Sequence, residues 1–359
     1  MAVRNYESID STNDITNTRT LLHEAIPLTG TIVSGTYGTF RSERNIKNYT
    51  HGQFQSVYDY PFLSSSANHI FDITLGYDES SGYSGSTSVQ NSKKINMYNQ
   101  FAQVLLGYTS SNSDGIRKFE NDLTLDGAGA MKEVFFVSFS RLLVKDQIKK
   151  GTFSMTFQTG AFTSPSQITL SDRSASVNGD GTLNTDGGDY GILYGGPGYP
   201  QGLGTIFYQA GIAVITASVF GTGSSPLARV GHPYPFNPSQ PEKLTQAVSS
   251  SFTGSTISSS CDAFRRRLVN LSFNNTTEIN SKIYFCRVPH NKFNYSANPT
   301  YVSSSKIVVK NQSTDNPVSY ITTVGLYNES NQLVAVAKLS EPLKKDPTND
   351  ITLRVRLDY

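Results

Sequence analysis

Residues 293–359 read FNYSANPTYVSSSKIVVKNQSTDNPVSYITTVGLYNESNQLVAVAKLSEPLKKDPTNDITLRVRLDY. Short runs of β-forming residues alternate there with turns rich in Asn, Pro, Ser and Asp. Residues 320–339 have the two arms of a hairpin, and Asn328–Asn331 supplies the turn between them. This stretch predicts a β-sandwich-like C-terminal domain.

The last strand-like run shows the alternation of a half-buried strand, whose side chains point to opposite faces in turn. The apolar positions are Ile351, Leu353, Val355 and Leu357. The intervening polar positions are Thr352, Arg354, Arg356 and Asp358. A chain that closes on such a strand has its terminus tied into a sheet. We therefore interpret the hairpin and the final strand as an edge for assembly with other proteins.

Composition narrows the class of protein. The chain has 359 residues, a formal net charge of +2 and 16% charged residues, against roughly 25% in typical soluble domains. The small net charge gives no electrostatic argument for nucleic acid or for an acidic membrane surface. The first residues lack the apolar core of a signal peptide, and no run reaches the ~18 apolar residues of a membrane span.

Three blocks divide the chain. Residues 1–90 are polar and rich in short β-like pieces and loops, and residues 91–230 form a mixed domain. After a Pro-rich connector at 229–243, residues 240–359 are the β-sandwich-like domain. Together they predict a mainly β protein with a few helices (α+β).

The middle block contains the clearest helix, in SKKINMYNQFAQVLLG. Ser92 can cap its start and Gly107 can end it. The apolar stripe at helical spacing comprises Ile95, Tyr98, Ala102 and Leu105. The following EVFFVSFSRLL is too apolar for a surface strand, so we expect it in the core.

Residues 187–204, GGDYGILYGGPGYPQGLG, combine many glycines with Tyr190, Tyr194 and Tyr199. Glycine permits unusual backbone angles or close approach of neighbouring chain. Exposed tyrosine is typical of protein contacts. We expect a loop that contacts other proteins.

One segment of the chain has the spacing of a metal-binding loop. Ser176–Asp186 has calcium-loop spacing, but Ser176 replaces the first aspartate and Gly187 stands where the bidentate glutamate is needed. A polar β-turn is the preferred interpretation over a hydrated cation site. The 5 histidines are scattered, which argues against zinc. We predict no metal and no cofactor.

Catalytic patterns are equally sparse. Cys286 and His290 are close in sequence but separated by a proline, and the state of Cys261 and Cys286, paired or free, stays open. A carboxylate pair for glycoside hydrolysis does not stand out. The basic run Arg265–Arg267 is interpreted as a solvated strand or an intersubunit ion-pair patch, with phosphate binding as the alternative. We predict that the protein is not an enzyme.

A resemblance adds to this interpretation. IYFCRVPHNKFNYSANPTYVSSSKIVVK and the hairpin and final strand that follow it resemble a virion structural protein of T-even-like marine myoviruses that infect cyanobacteria. KINMYNQFAQVLLG, KDQIKKGTFSMTFQTG and GTIFYQAGIAVIT are similar to the same family. The resemblance covers about two thirds of the chain and implies a structural role, without site residues.

The leading hypothesis is a multi-copy structural protein of a phage tail, baseplate or neck, assembled in the host cytoplasm and located in the virion. Its partners would be copies of itself and other phage structural proteins, with neither nucleic acid nor membrane. Alternatives are a receptor-binding or adhesin module that contacts the host surface, a capsid-associated protein and, last, a cell-wall hydrolase. The candidate interface residues are Tyr190, Tyr194, Tyr199, Tyr320, Tyr327, Arg354, Arg356 and Tyr359.

Overall fold

The computed structural model describes residues 6–29, 45–59, 69–109, 114–159, 166–172, 182–195, 202–220, 256–296, 301–303, 306–307, 312 and 314–359. These residues form a mainly β protein with few helices, as predicted. The chain divides into two compact units. One comprises Met1–Leu21 and Glu278–Tyr359, and the other comprises Leu22–Thr277.

We call Leu22–Thr277 the sheet unit, because an antiparallel sheet dominates it. Its strands follow the order β13-β7-β8-β10-β11-β12-β5-β4-β3-β2, with β6 also paired to β13 and β9 to β10. The strands, in chain order, are β1 (Ile15–Thr29), β2 (Ile46–Asn48), β3 (Gln55–Tyr58), β4 (His69–Tyr77), β5 (Glu133–Phe139), β6 (Gln147–Ile148), β7 (Ser154–Thr159), β8 (Ser166–Ser171), β9 (Thr182–Thr185), β10 (Gly188–Tyr194), β11 (Gly202–Phe207), β12 (Ile212–Thr216) and β13 (Leu268–Val288). Strands β1 and β13 also contribute residues to the other unit.

Strand β5 shows why the centre of this sheet is so apolar. Phe135 and Val137 belong to one buried cluster, whereas Val134 and Phe136 belong to a second. Since alternate side chains point to opposite faces, both faces of the sheet are covered. The near-continuous apolar run EVFFVSF is typical of a strand buried on both faces. Of the run EVFFVSFSRLL that was predicted for the core, this strand is confirmed there, whereas Leu142 is 70% exposed.

Helix α1 (Asn91–Leu105) covers one of these faces. Tyr98, Ala102 and Leu105 are buried as predicted, and Gly107 ends the helix at φ +77°, donating its N–H to the Ala102 carbonyl at 3.2 Å. Ser92 is not the cap: the N-cap is Gln90, in a left-handed conformation at φ 55°.

Gly76 in β4 sets how closely α1 approaches the sheet. A Cβ at this position would lie 2.7 Å from the Lys94 carbonyl oxygen and 2.7 Å from the Tyr98 nitrogen. Such contacts are too short for any side chain, so glycine is required here for the helix backbone to pack directly on the strand.

Three further helical segments are described: α2 (Arg141–Val144), the 3₁₀ turn η1 (Ala217–Phe220) and α3 (Ile257–Arg267). Thr256 caps α3 by accepting the Ser259 N–H at 3.3 Å. On the other face of β5, the ring of Phe264 packs 4.9 Å from that of Phe135.

Helix α3 corrects the interpretation of the basic run. Arg265 and Arg267 are 0% and 1% exposed, so they lie neither on a solvated strand nor in a surface patch. Arg265 pairs with Asp262 at 2.8 Å and donates to the Gln55 side-chain oxygen at 3.1 Å. This ion pair and these hydrogen bonds lower the free-energy cost of burying the Arg265 charge.

The second unit, which we call the terminal unit, contains β14 (Val302–Ser303), β15 (Lys306–Ile307), β16 (Ser319–Tyr327), β17 (Leu333–Lys345) and β18 (Ile351–Asp358). Strands β16 and β17 form a two-stranded antiparallel hairpin, and β18 pairs with residues 281–288 of β13. Both the hairpin and the final strand are confirmed.

The division of the chain differs from the predicted blocks. Residues 22–277 belong to one unit, so the expected boundary at residue 90 falls inside it. The reason is strand pairing: β3 and β4, from the first block, pair with each other and with β5 of the second. The connector at 229–243 lies outside the described residues. Among the helices that are described, none has both the length and the apolar character to cross a membrane.

Candidate assembly surface

The hairpin β16–β17 exposes apolar side chains to an unusual extent. Its register aligns Val324 with Ala337 and Leu326 with Ala335, and β17 is largely exposed along its length. Its exposed large hydrophobic residues are Tyr320 (62%), Tyr327 (40%), Leu333 (52%), Val334 (66%), Val336 (52%) and Leu343 (37%). We call this set the hairpin patch. Exposed apolar side chains concentrated on one hairpin favour a protein contact.

The turn of the hairpin follows from its sequence. Asn328 donates its backbone N–H to the Gln332 carbonyl at 3.0 Å, and the Asn328 side chain accepts the Gln332 N–H at 2.8 Å. Asn331 has φ 59°, a left-handed conformation that asparagine tolerates better than most residues. The predicted turn residues therefore fix the register of the two arms.

Tyr327 and Leu333 lie on the same face, next to Gly325. A Cβ on Gly325 would lie 3.0 Å from the Tyr327 ring and 3.2 Å from a Leu333 methyl. The Tyr327 ring also meets the Tyr6 ring edge-on, with centroids 5.2 Å apart. The missing side chain at Gly325 thus leaves room for two large residues to pack beside it while remaining exposed.

The final strand places its predicted polar residues on the surface. Arg356 donates to Asp358 at 2.7 Å and to the Ser281 hydroxyl at 2.9 Å. The hydrogen bonds from Ser281 and Arg356 hold the pKa of Asp358 below its usual value. Arg354 is exposed and Tyr359 is 72% exposed, whereas Leu353 and Val355 are buried.

Most of the predicted tyrosine loop, residues 187–204, lies in the sheet and does not form a surface loop. Residues 188–194 and 202–207 are paired strands of the sheet, and Tyr190 is 1% exposed, so its predicted surface position was wrong. Its hydroxyl donates to the Leu123 carbonyl at 3.2 Å, and burial raises its pKa to about 12. Tyr194 is half-buried against the same core, and Tyr199 lies outside the described residues.

The cysteines are both free. Cys261 is buried and donates to the Ile73 carbonyl at 3.3 Å, and burial raises its pKa. Burial and the nearby Asp14 raise the pKa of Cys286 as well. A nucleophilic cysteine needs the opposite shift. His290 is exposed and faces Asp350, with 3.4 Å between its Nδ1 and the carboxylate.

A serine, a histidine and an aspartate do meet in the sheet unit. Ser56 Oγ donates to Asp72 Oδ1 at 2.5 Å, and His69 Nε2 donates to the same oxygen at 2.8 Å. In a nucleophilic triad the histidine takes the proton of the serine. Here both residues bond the carboxylate instead, so the arrangement orients Asp72 and does not activate Ser56.

Buried carboxylates elsewhere stabilise turns. Asp172 is 1% exposed and accepts hydrogen bonds from the Gly151 and Phe153 N–H groups and from the Tyr208 hydroxyl, at 2.8, 2.9 and 3.0 Å. Desolvation raises its pKa.

Across the described residues, His, Cys, Asp and Glu do not gather into a group that could hold a metal ion. The calcium-like loop lies largely outside those residues: only its end, residues 182–186, is described, and Thr182–Thr185 of it is strand β9.

Sequence reasoning missed one concave feature. A cavity of about 160 Å³ lies between α1 and the sheet, lined by Phe54, Asp72, Thr74, Met97, Phe101, Phe136 and Ser138. These residues come from four separate segments, so no local motif announces them. The only signal in the sequence is the alternation of side chains along β4 and β5. It places Asp72 beside Ser138 and Thr74 beside Phe136 on the same face of the sheet.

Comparison of the chain with protein-family models, with curated proteins and with solved structures finds no match.

Proposed function

We propose that this chain is a structural subunit of a bacteriophage particle and acts by association. The observation that carries the proposal is the hairpin patch. Its strands form a sheet of their own, and Val334 and Val336 are 66% and 52% exposed. A two-stranded hairpin is only marginally stable in water by itself. Contact with a neighbouring subunit would bury its apolar face and supply further strands.

The physical basis is strand addition and apolar burial. An exposed strand edge offers unpaired N–H and C=O groups to a neighbour. Apolar side chains removed from water contribute about 25 cal/mol per Å². Repeated in every copy of the chain, such contacts stabilise a multi-copy assembly without any catalytic step. The tail or baseplate is the preferred location, on the resemblance described above.

A charge-insertion variant tests the proposal. Val334→Lys with Val336→Lys places two cations in the hairpin patch. Because both side chains are exposed, we expect an unchanged unfolding midpoint. We expect loss of the protein from assembled particles, measured by mass spectrometry of virions purified from cells that supply only the variant.

The matched control is Leu142→Lys. Leu142 is 70% exposed but lies on α2 in the sheet unit, outside the hairpin patch. We expect this variant to enter particles at the wild-type copy number. Normal incorporation of the Val334/Val336 double variant would overturn the assignment of the hairpin, and absence of the wild-type protein from purified virions would overturn the proposed function.

A further inference from the structure

The cavity between α1 and the sheet combines an apolar lining with one carboxylate. Phe54, Met97, Phe101 and Phe136 supply the apolar wall, and Asp72, Thr74 and Ser138 supply polar atoms. Its volume of about 160 Å³ is close to that of an engineered cavity that binds benzene, ~150 Å³. The space therefore suits one small organic group or one long side chain.

Asp72 is held in place before any ligand arrives. Both the His69 imidazole and the Ser56 hydroxyl donate to its Oδ1, at 2.8 and 2.5 Å. These hydrogen bonds restrain the rotamer and leave Oδ2 with its acceptor capacity. The Asp72 side chain lines the cavity and is 35% exposed. A positioned carboxylate selects a cation and repels an anion.

The aromatic wall favours the same charge. Phe101 and Phe136 stack with centroids 4.1 Å apart and an interplanar angle of 10°, which occupies one face of each ring. Phe136 is buried, so the accessible rings are those of Phe54 and Phe101. Phe54 is packed against Tyr49 and His51, with centroids 4.7 and 5.0 Å away. The negative faces of aromatic rings attract ammonium and guanidinium groups. The sheet unit already uses this attraction at Lys47, whose Nζ lies 5.0 Å from the Tyr49 ring centroid.

Two lysines near Phe54 are engaged by other groups, while His69 bonds the Asp72 carboxylate itself. Lys93, on α1, donates its Nζ to the His51 carbonyl at 2.8 Å, and Lys47 sits over Tyr49. Thr74 donates its hydroxyl to the Gln53 carbonyl at 2.6 Å and keeps its oxygen lone pairs as acceptors. The polar wall thus offers acceptors, which match a donor-rich cation.

We propose that this cavity binds an ammonium or guanidinium group carried on an alkyl stem. The stem would lie along the aromatic wall and the charged head would bond Asp72. The group could belong to a small free amine or to a lysine or arginine side chain of a second copy of this chain. The inference stands on the sheet unit and does not rest on the proposed function.

The test is titration of the purified full-length chain with n-butylammonium and n-butylguanidinium, followed by ligand-observed NMR and calorimetry. We expect saturable binding of both cations and at least about tenfold weaker binding of n-butanol, since the charge-assisted hydrogen bond is lost. Asp72→Asn should reduce the affinity for both cations to the affinity for n-butanol. Asp122→Asn, which changes an exposed carboxylate outside the cavity, should leave binding unchanged.

Further measurements keep the test decisive. If Asp72→Asn does not fold, Phe101→Leu is the alternative variant, because it keeps an apolar wall but removes one ring. It should weaken the binding of the two cations more than the binding of n-butanol. Equal binding of butanol and butylammonium to the wild type, or no saturable binding at all, overturns the proposal. Sedimentation with and without butylammonium separates the sources: competition with self-association identifies a second copy, and unchanged sedimentation identifies a free amine.

Discussion

Strands β5 and β17 both carry apolar residues, but those of β5 are buried whereas those of β17 are largely exposed. In β5, Phe135 and Phe136 face opposite sides of the sheet and both are buried. In β17, Leu333 and Val334 are 52% and 66% exposed. Local pattern makes both segments strands. What covers each face decides whether the side chains become core or surface.

The coverings can be named for β5. Phe264 from α3 packs 4.9 Å from Phe135 on one face, and Phe101 from α1 stacks 4.1 Å from Phe136 on the other. The described residues supply no comparable cover for Val334 and Val336. The sheet unit is therefore stabilised by its own core, whereas the hairpin keeps an apolar surface that a partner can bury.

The largest expected effect is in the core. Phe135→Ala removes a fully buried ring packed between helix and sheet, so we expect a loss of about 3–5 kcal/mol in the free energy of unfolding. Val336→Ala, in the hairpin, should change it by less than about 0.5 kcal/mol, because the side chain is largely exposed. Urea unfolding measures both. Similar losses in the two variants would remove the contrast between the regions.

The pH dependence of the unfolding free energy gives a second test of the comparison, through a buried lysine of the sheet unit. Lys94 is 0% exposed, and desolvation lowers its pKa to about 8. Since each pKa unit corresponds to about 1.4 kcal/mol, we expect Lys94→Met to be roughly 1–3 kcal/mol more stable than the wild type at pH 7.

The sign follows from linkage. Above pH 8 the folded chain loses the Lys94 proton while the unfolded chain, whose lysine has the ordinary pKa of 10.5, keeps it. The wild type therefore gains stability between those pH values, and its deficit against Lys94→Met shrinks. Lys338→Met, at an exposed hairpin position, is the control. A gap that stays constant from pH 7 to 10 would contradict the buried charge.

The smallest effect is confined to the hairpin turn. Asn331 has φ 59°, and a β-branched residue there costs about 1–2 kcal/mol. Asn331→Val should speed amide hydrogen exchange in β16 and β17 and leave β5 unchanged. Asn331→Gly should preserve the protection, because glycine adopts this conformation without strain. Faster exchange in β5 as well would show that the two regions unfold together.

Sequence reasoning succeeded where a local rule determines the outcome. The alternation from Ile351 to Leu357, the Asn-rich turn after Tyr327 and the stop at Gly107 are each specified by neighbouring residues. In α1, the buried residues 94, 98, 102 and 105 have helical spacing. The sequence does not predict burial of Lys94, because a charged side chain is expected on the surface. Its burial depends on α1 packing against β4, which the helix sequence alone does not specify.

The failures share one cause, which is tertiary contact. Tyr190 was predicted at the surface from its glycine-rich neighbours, but strands on both sides and the residue Leu123 enclose it. In the polar run at residues 78–92, Asp78 and Ser81 are buried although their neighbours in sequence are polar, and their partners are Lys118 and Glu133. Pairing across long sequence separations decides these positions.

The terminal unit joins segments that are far apart in the chain. The Phe285 N–H donates to the Asp14 carbonyl at 2.8 Å, and Lys292 pairs with Glu7 at 2.6 Å. During synthesis, residues 22–277 are complete before the partners of Glu7 and Asp14 have been translated. Domains generally fold as units in the order in which they emerge, so the sheet unit can form on the ribosome while the terminal unit waits for the rest of the chain. The hairpin patch is therefore translated only after the sheet unit is complete.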